Sequence, residues 1–136
     1  MAIIQPFKAV RPVNDKTPFV ASRSYEEYSK KELDCVLNYN PFSFLHIINP
    51  GYRFNKTVSG MERFKLVYNR YSEFLEDKIL LKDNEESFYI YKIVKNDFNC
   101  CGIICGTSTE DYRNSVIKKH ENTIERREKL FANYLN

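Results

Sequence analysis

The chain has 136 residues, 43% hydrophobic and 29% charged, with a formal net charge of +3. That balance excludes a disordered or fibrous chain, and the small, interspersed charge surplus gives no ground for a nucleic-acid or membrane-surface partner. One domain over residues 1–136 is expected, long enough to bury about two thirds of its unfolded surface.

Phe7 to Arg11 alternates as a first strand closed by Pro12, and Asn14-Asp15-Lys16 with Pro18 reads as loop. Ser29-Lys30-Lys31-Glu32 fits a capping box, in which hydroxyl and carboxylate satisfy the first free amides of a helix. Leu33, Val36 and Leu37 share one face of that helix, and Asn40-Pro41 ends it, because a residue before proline is pushed out of the α region. Phe44-Leu45-His46-Ile47-Ile48, closed by Asn49-Pro50-Gly51, predicts a short strand buried on both faces. His46 within it is either a core imidazole bonded to backbone or an acid, base or ligand facing a cleft.

Ser59-Gly60-Met61-Glu62 repeats the capping logic. Met61, Phe64, Val67, Tyr68, Tyr71, Phe74 and Leu75 then recur at three- and four-residue steps, which predicts a long amphipathic helix to about Lys78 with its aromatic stripe in the core. Asp83 to Glu86 is loop, Phe88 to Val94 is a strand, Lys95-Asn96-Asp97 is a turn, and Cys100 to Cys105 is the hairpin partner. Ser108 and Asp111 cap a short helix; Asn122-Thr123 cap a last one carrying Ile124, Leu130, Phe131, Tyr134 and Leu135. The expected architecture is α+β, with a small mixed or antiparallel sheet including the 88–105 hairpin, packed against the long helix and shorter ones.

The N-terminus has no basic region leading into a long apolar run, and no stretch approaches the roughly 20 apolar residues that cross a bilayer, so the cytoplasm is the expected location and no membrane is expected. Cys35, Cys100, Cys101 and Cys105 then sit in a reducing compartment. Cys101 and Cys105 on one strand face would lie roughly 13 Å apart at about 3.3 Å per residue, too far for one zinc. The four are expected to be buried or half-buried thiols, with no metal site.

Chemistry concentrates in Lys118-Lys119-His120-Glu121, followed by Asn122-Thr123. Two ammonium groups, an imidazole and a carboxylate beside a helix start suit a phosphate or carboxylate ligand, with His120 or Glu121 moving a proton and Lys118, Lys119 and Thr123 holding the anion. A solvated polar turn is the plainer reading. Arg11, Ser43 and His46 are candidates for the opposite wall, Arg11 as an anion clamp and His46 as a further catalytic group, so that tetrad and buried histidine share one pocket. Gly-x-x-x-x-Gly-Lys, the phosphate-cradling loop, is not present.

Five phrases in order resemble one family: Pro6-Phe7-Lys8-Ala9-Val10-Arg11-Pro12, Val20-Ala21-Ser22, Asn40-Pro41-Phe42-Ser43-Phe44-Leu45-His46, Phe88-Tyr89-Ile90-Tyr91, and Val116 to Thr123. The set is similar to domain-of-unknown-function family 1015, whose members are about three times this length. The resemblance implies that this chain matches the N-terminal third of a longer member. It also implies a distant likeness to the ParB-like superfamily that includes free-serine kinases. Carried over, it implies a module of a phosphoryl-transfer enzyme acting on serine or phosphoserine with ATP or ADP and Mg, inactive without the remainder of the family's chain or a partner subunit. A later Asp-Gly-His-His-Arg segment of the family is missing here, and Ser24-Tyr25-Glu26 stands where Pro-Tyr-Asp is usual. The alternatives are a non-catalytic interaction or assembly module and, third, a ParB-like nucleic-acid-associated domain. Five bases against three acids in the last 21 residues count against the third.

Overall fold

The computed structural model describes residues 1–52, 58, 60–118, 128, 129 and 132. In chain order its elements are β1 (Ile4–Gln5), β2 (Val10–Pro12), α1 (Thr17–Val20), a 3-10 turn (Tyr25–Glu27), α2 (Lys30–Tyr39), α3 (Leu45–Ile48), α4 (Gly60–Glu76), β3 (Leu80–Lys82), β4 (Tyr89–Lys95), β5 (Phe98–Ile104), β6 (Gly106–Thr107) and α5 (Thr109–Arg113). The fold is α+β, as the patterning predicts. In place of one small sheet, the described strands form three two-stranded ladders, β1 with β6, β2 with β3, and β4 with β5. The chain divides into two compact units, Val10–Leu81 and Met1–Ala9 with Lys82–Asn136.

The Val10–Leu81 unit is built around Val20, Ile47, Phe74, Ile79 and Leu80, with Val10, Phe42, Val67, Tyr71 and Leu75 packed against them. Its best-defined helix start is α2. Ser29 Oγ accepts from Glu32 N, and the Glu32 carboxylate accepts from Ser29 N at 2.9 Å, the reciprocal capping box read from the sequence. Arg23 donates to the same carboxylate at 3.2 Å. The Ser29 hydroxyl and amide, then Arg23, hold the Glu32 carboxyl at about 2, below its ordinary 4.5. A carboxyl depressed by folding favours the folded chain above its unfolded value. Acid should therefore erode this contribution between pH 4.5 and about 2. Ser29→Ala should cost about 1 kcal/mol in urea unfolding at neutral pH, and Glu32→Gln should flatten the acid limb of stability. An unchanged urea midpoint in Ser29→Ala would show that the box contributes nothing.

Two local expectations change. The Phe44–Ile48 run is a turn of helix, not a strand. Ser43 Oγ accepts from Leu45 N at 3.3 Å, and Asn49 N closes on Leu45 O at 2.9 Å. A short apolar run does not discriminate the two states by periodicity; here the turn after Pro41 starts a helix that buries Leu45 and Ile47 and leaves His46 half-buried. The strand expected over Phe7 to Arg11 is displaced to β2, Val10–Pro12, and Pro18, expected in loop, lies in the first turn of α1, where its missing N–H has no intrahelical acceptor.

Helix α4 follows the predicted period, ending at Glu76 instead of about Lys78. Its first residue, Gly60, has φ 61°, a left-handed conformation that costs glycine little. The stripe splits: Phe64 and Phe74 are buried, whereas Met61 and Tyr68 are exposed. Seventeen residues drift round a narrow core, so only part of the apolar face is covered.

In the other unit, β1 pairs antiparallel with β6, Ile4 opposite Thr107. Ser108 Oγ caps α5 by accepting from Asp111 N at 3.3 Å, as predicted, and Asp111 Oδ2 accepts from Ile3 N at 2.7 Å. The hairpin pairs Tyr89 with Ile104 through Lys95 with Phe98, leaving Asn96-Asp97 as a two-residue turn with φ 49° at Asn96. Tyr89 anchors it: the ring packs 5.1 Å from that of Phe7, and Oη accepts from Ala9 N at 2.9 Å and donates to Asp83 Oδ2 at 2.6 Å.

Candidate functional site

A cavity of about 670 Å³ lies in the Val10–Leu81 unit between α2, the Asn49–Tyr52 turn and the start of α4. Helix α2 presents Lys30, Asp34 and Asn38 to it, one turn apart each, because residues four apart share a helix face. Arg63 contributes from the first turn of α4, where its guanidinium donates to Ile48 O at 3.0 Å. Tyr52 reaches back to Asp34 O at 3.4 Å. Burial first, then the charge of Asp34, pushes the Tyr52 phenol above its ordinary value, so it stays a hydroxyl donor. Among the described residues, neither the Lys30 ammonium nor the Asp34 carboxylate is engaged in an ion pair, though they stand four residues apart. Two opposite charges that face one polar cavity and form no direct ion pair can each take a separate end of a ligand.

A smaller cavity of about 130 Å³ lies between α3 and α4, lined by His46, Asn49, Pro50, Leu66, Asn69, Arg70 and Glu73. Its charges are already used. Arg70 pairs with Glu73 and lies 5.0 Å over the Phe74 ring, and His46 Nε2 is 3.1 Å from Asn40 O. With a proton on Nε2 that contact is a hydrogen bond to backbone, the core-imidazole role weighed for His46.

The sequence-derived candidates fare unevenly. Lys119, His120, Glu121 and Thr123 lie outside the described residues, and so does the expected pocket they would share with His46; Lys118 is exposed. Ser43, expected to bind an anion, is 1% exposed with its hydroxyl bonded to Leu45 N, so no ligand reaches it. Arg11 is exposed on β2 and lines neither cavity. Sequence reasoning passed over Lys30, Asp34, Asn38, Tyr52 and Arg63. The i, i+4, i+8 polar row on α2 was visible, but such a row ordinarily marks a solvated face.

The thiols also differ from expectation. Cys35 on α2 is exposed and Cys105 is half-buried, while Cys100 and Cys101 are exposed because they lie on β5, which is exposed along its whole length. Among those residues no group of three His, Cys, Asp or Glu side chains could hold a metal ion, and no helix is long and apolar enough to cross a membrane.

Comparison with known proteins returns one family. The model described as a protein of unknown function, DUF1015, matches residues 4–136. The match covers essentially the whole chain, so the narrower expectation of an N-terminal third alone is not borne out. No curated protein and no solved structure matches.

Proposed function

We propose that this chain, which belongs to the DUF1015 family, binds a small zwitterionic ligand of the phosphoserine type and forms one wall of a phosphoryl-transfer site that is inactive alone. The observation that supports this is that Lys30 and Asp34 face one cavity with Arg63 and, among the described residues, form no ion pair. An amino acid carrying a phosphate has a cationic and an anionic end. Asp34 suits the ammonium, while Lys30 and Arg63 suit phosphate or carboxylate oxygens. Tyr52 and Asn38 supply neutral hydrogen bonds. About 670 Å³ lies within the usual range for small-molecule sites.

The donor set does not suit a nucleotide with Mg. Among the described residues one carboxylate faces the cavity and Gly51 is its one glycine, and the sequence has no glycine-rich loop to offer a row of backbone amides to a polyphosphate. A nucleotide would therefore be held by another polypeptide surface, consistent with a module that cannot turn over alone.

Thermal unfolding of the full chain with serine, phosphoserine, ATP and ADP tests the reading. Phosphoserine should raise the midpoint most, and Lys30→Ala should weaken its binding about tenfold, the equivalent of one lost charge-assisted contact of about 1.4 kcal/mol. No shift with phosphoserine, or equal shifts in wild type and Lys30→Ala, would sink it. Lys119→Ala and His120→Ala provide the parallel test of the basic motif.

A second reading, an assembly module, is favoured by a different observation. Ile90, Tyr91, Val94, Phe98 and Ile103 are all more than half exposed on the β4–β5 hairpin, where apolar area of this extent ordinarily meets another surface.

A further inference from the structure

The hairpin carries apolar side chains on both faces, and a two-stranded ladder is marginal in water by itself. Its two outer edges differ. Strand β4 has Lys92 in the middle and Lys95 at the turn, whereas β5, Phe-Asn-Cys-Cys-Gly-Ile-Ile, has no charge and no proline. Charged side chains, Lys above all, are how edge strands resist pairing with other strands, and β5 has none of that protection.

The register shows which backbone groups are available. A two-residue turn is closed by a hydrogen-bonded pair, here Lys95 with Phe98, and such pairs alternate along an antiparallel ladder. Phe98, Cys100, Gly102 and Ile104 therefore direct their amides and carbonyls toward β4. Asn99, Cys101 and Ile103 direct theirs outward, and among the described residues no strand lies beyond β5.

We propose that the outer edge of β5 pairs antiparallel with β5 of a second copy of this chain, about a two-fold axis at Cys101, forming a four-stranded sheet β4–β5–β5–β4. This deepens the assembly reading by naming its partner, and it rests on that reading. Charge favours the second copy as occupant. Centred on Cys101, the register sets Asn99 against Ile103 and Cys101 against itself, so uncharged residues meet along all of β5. The same operation on the β4 edge would set Lys92 against Lys92, a like-charge contact. Centring on Cys101, the middle of the seven residues, also overlaps the whole strand and lets all three outward-facing residues exchange bonds. Both copies then present Tyr91, Ile93, Phe98 and Ile104 on the same side, because directly opposed residues share a face.

Sedimentation of the full chain tests this. The wild type should dimerise, and Cys101→Pro should weaken dimerisation at least about tenfold while keeping the far-ultraviolet spectrum, since proline is tolerated where the lost N–H faces outward on an edge. Should that variant fail to fold, a chain with Cys35, Cys100 and Cys105 changed to Ser answers the same question. Dibromobimane should join its Cys101 thiols at least about tenfold faster than those of a chain retaining only Cys100, whose thiols would sit on diagonal positions. A monomeric wild type, or equal crosslinking at the two positions, overturns the proposal. A dimer that survives Cys101→Pro but is lost in Tyr91→Lys refutes the edge and leaves the assembly reading standing; survival in both refutes the two together.

Discussion

Phe74→Ala is expected to destabilise the Val10–Leu81 unit by about 3–5 kcal/mol, the usual range for removing a buried phenyl ring. Phe74 is 0% exposed and packs with Val20, Ile47, Ile79 and Leu80, the four other buried members of that core. Truncation forfeits the ring's transfer free energy and leaves a void whose walls come from a helix, a helical turn and a strand, which do not collapse together. Arg70 also loses the ring beneath its guanidinium. The melting midpoint should fall by at least about 10 °C. Tyr68, on the same helix but 62% exposed, is the control: Tyr68→Ala should change stability by no more than about 0.5 kcal/mol. Similar losses from the two substitutions would mean that the described core is wrong.

Tyr89→Phe is expected to cost about 1.5–3 kcal/mol in the other unit, because it deletes a hydroxyl bonded to a carboxylate and to a backbone amide. Tyr89 Oη donates its single proton to Asp83 Oδ2 at 2.6 Å and accepts from Ala9 N at 2.9 Å; Phe7 O stands 3.1 Å away. Asp83 N in turn donates to Ala9 O at 2.8 Å, so the phenol joins the N-terminal segment to the approach of β4. Removing it takes one hydrogen bond from the Ala9 amide and one from the Asp83 carboxylate. The ring and its contact with Phe7 survive, so packing is preserved and the loss reports the hydrogen bonds. Amide exchange at Ala9 and Ser87 should accelerate together. If the exchange and the urea midpoint both hold at wild-type values, the hydroxyl is dispensable.

What could be read from the sequence was what local chemistry determines. The Ser29–Glu32 box, the period of α4, the Asn96-Asp97 turn and the Ser108 cap each depend on residues within a few positions of one another, and each is found. The Phe44–Ile48 run was misread because four or five apolar residues satisfy a buried strand and a buried helical turn alike. Tyr68 and Met61 were placed in the core because periodicity gives direction on a helix, not how much surface the rest of the chain can cover. The cavity escaped notice for a related reason. Lys30 and Asp34 look like a surface ion pair, and only the return of Tyr52 and Arg63 to the same face turns them into cavity groups. His46 reads as either a core imidazole or a group facing a cleft, and its Nε2 lies 3.1 Å from Asn40 O while the residue also lines the smaller cavity.

The central claim is that Lys30, Asp34 and Arg63 hold the two charged ends of a phosphorylated amino acid. Amide chemical shifts of the full chain, followed while phosphoserine is added, test it most directly. Saturable shifts confined to α2, the Asn49–Tyr52 turn and the start of α4, reduced in parallel by Lys30→Ala and Asp34→Asn, are the predicted result. Shifts that never saturate, or that saturate identically in both variants, would contradict it.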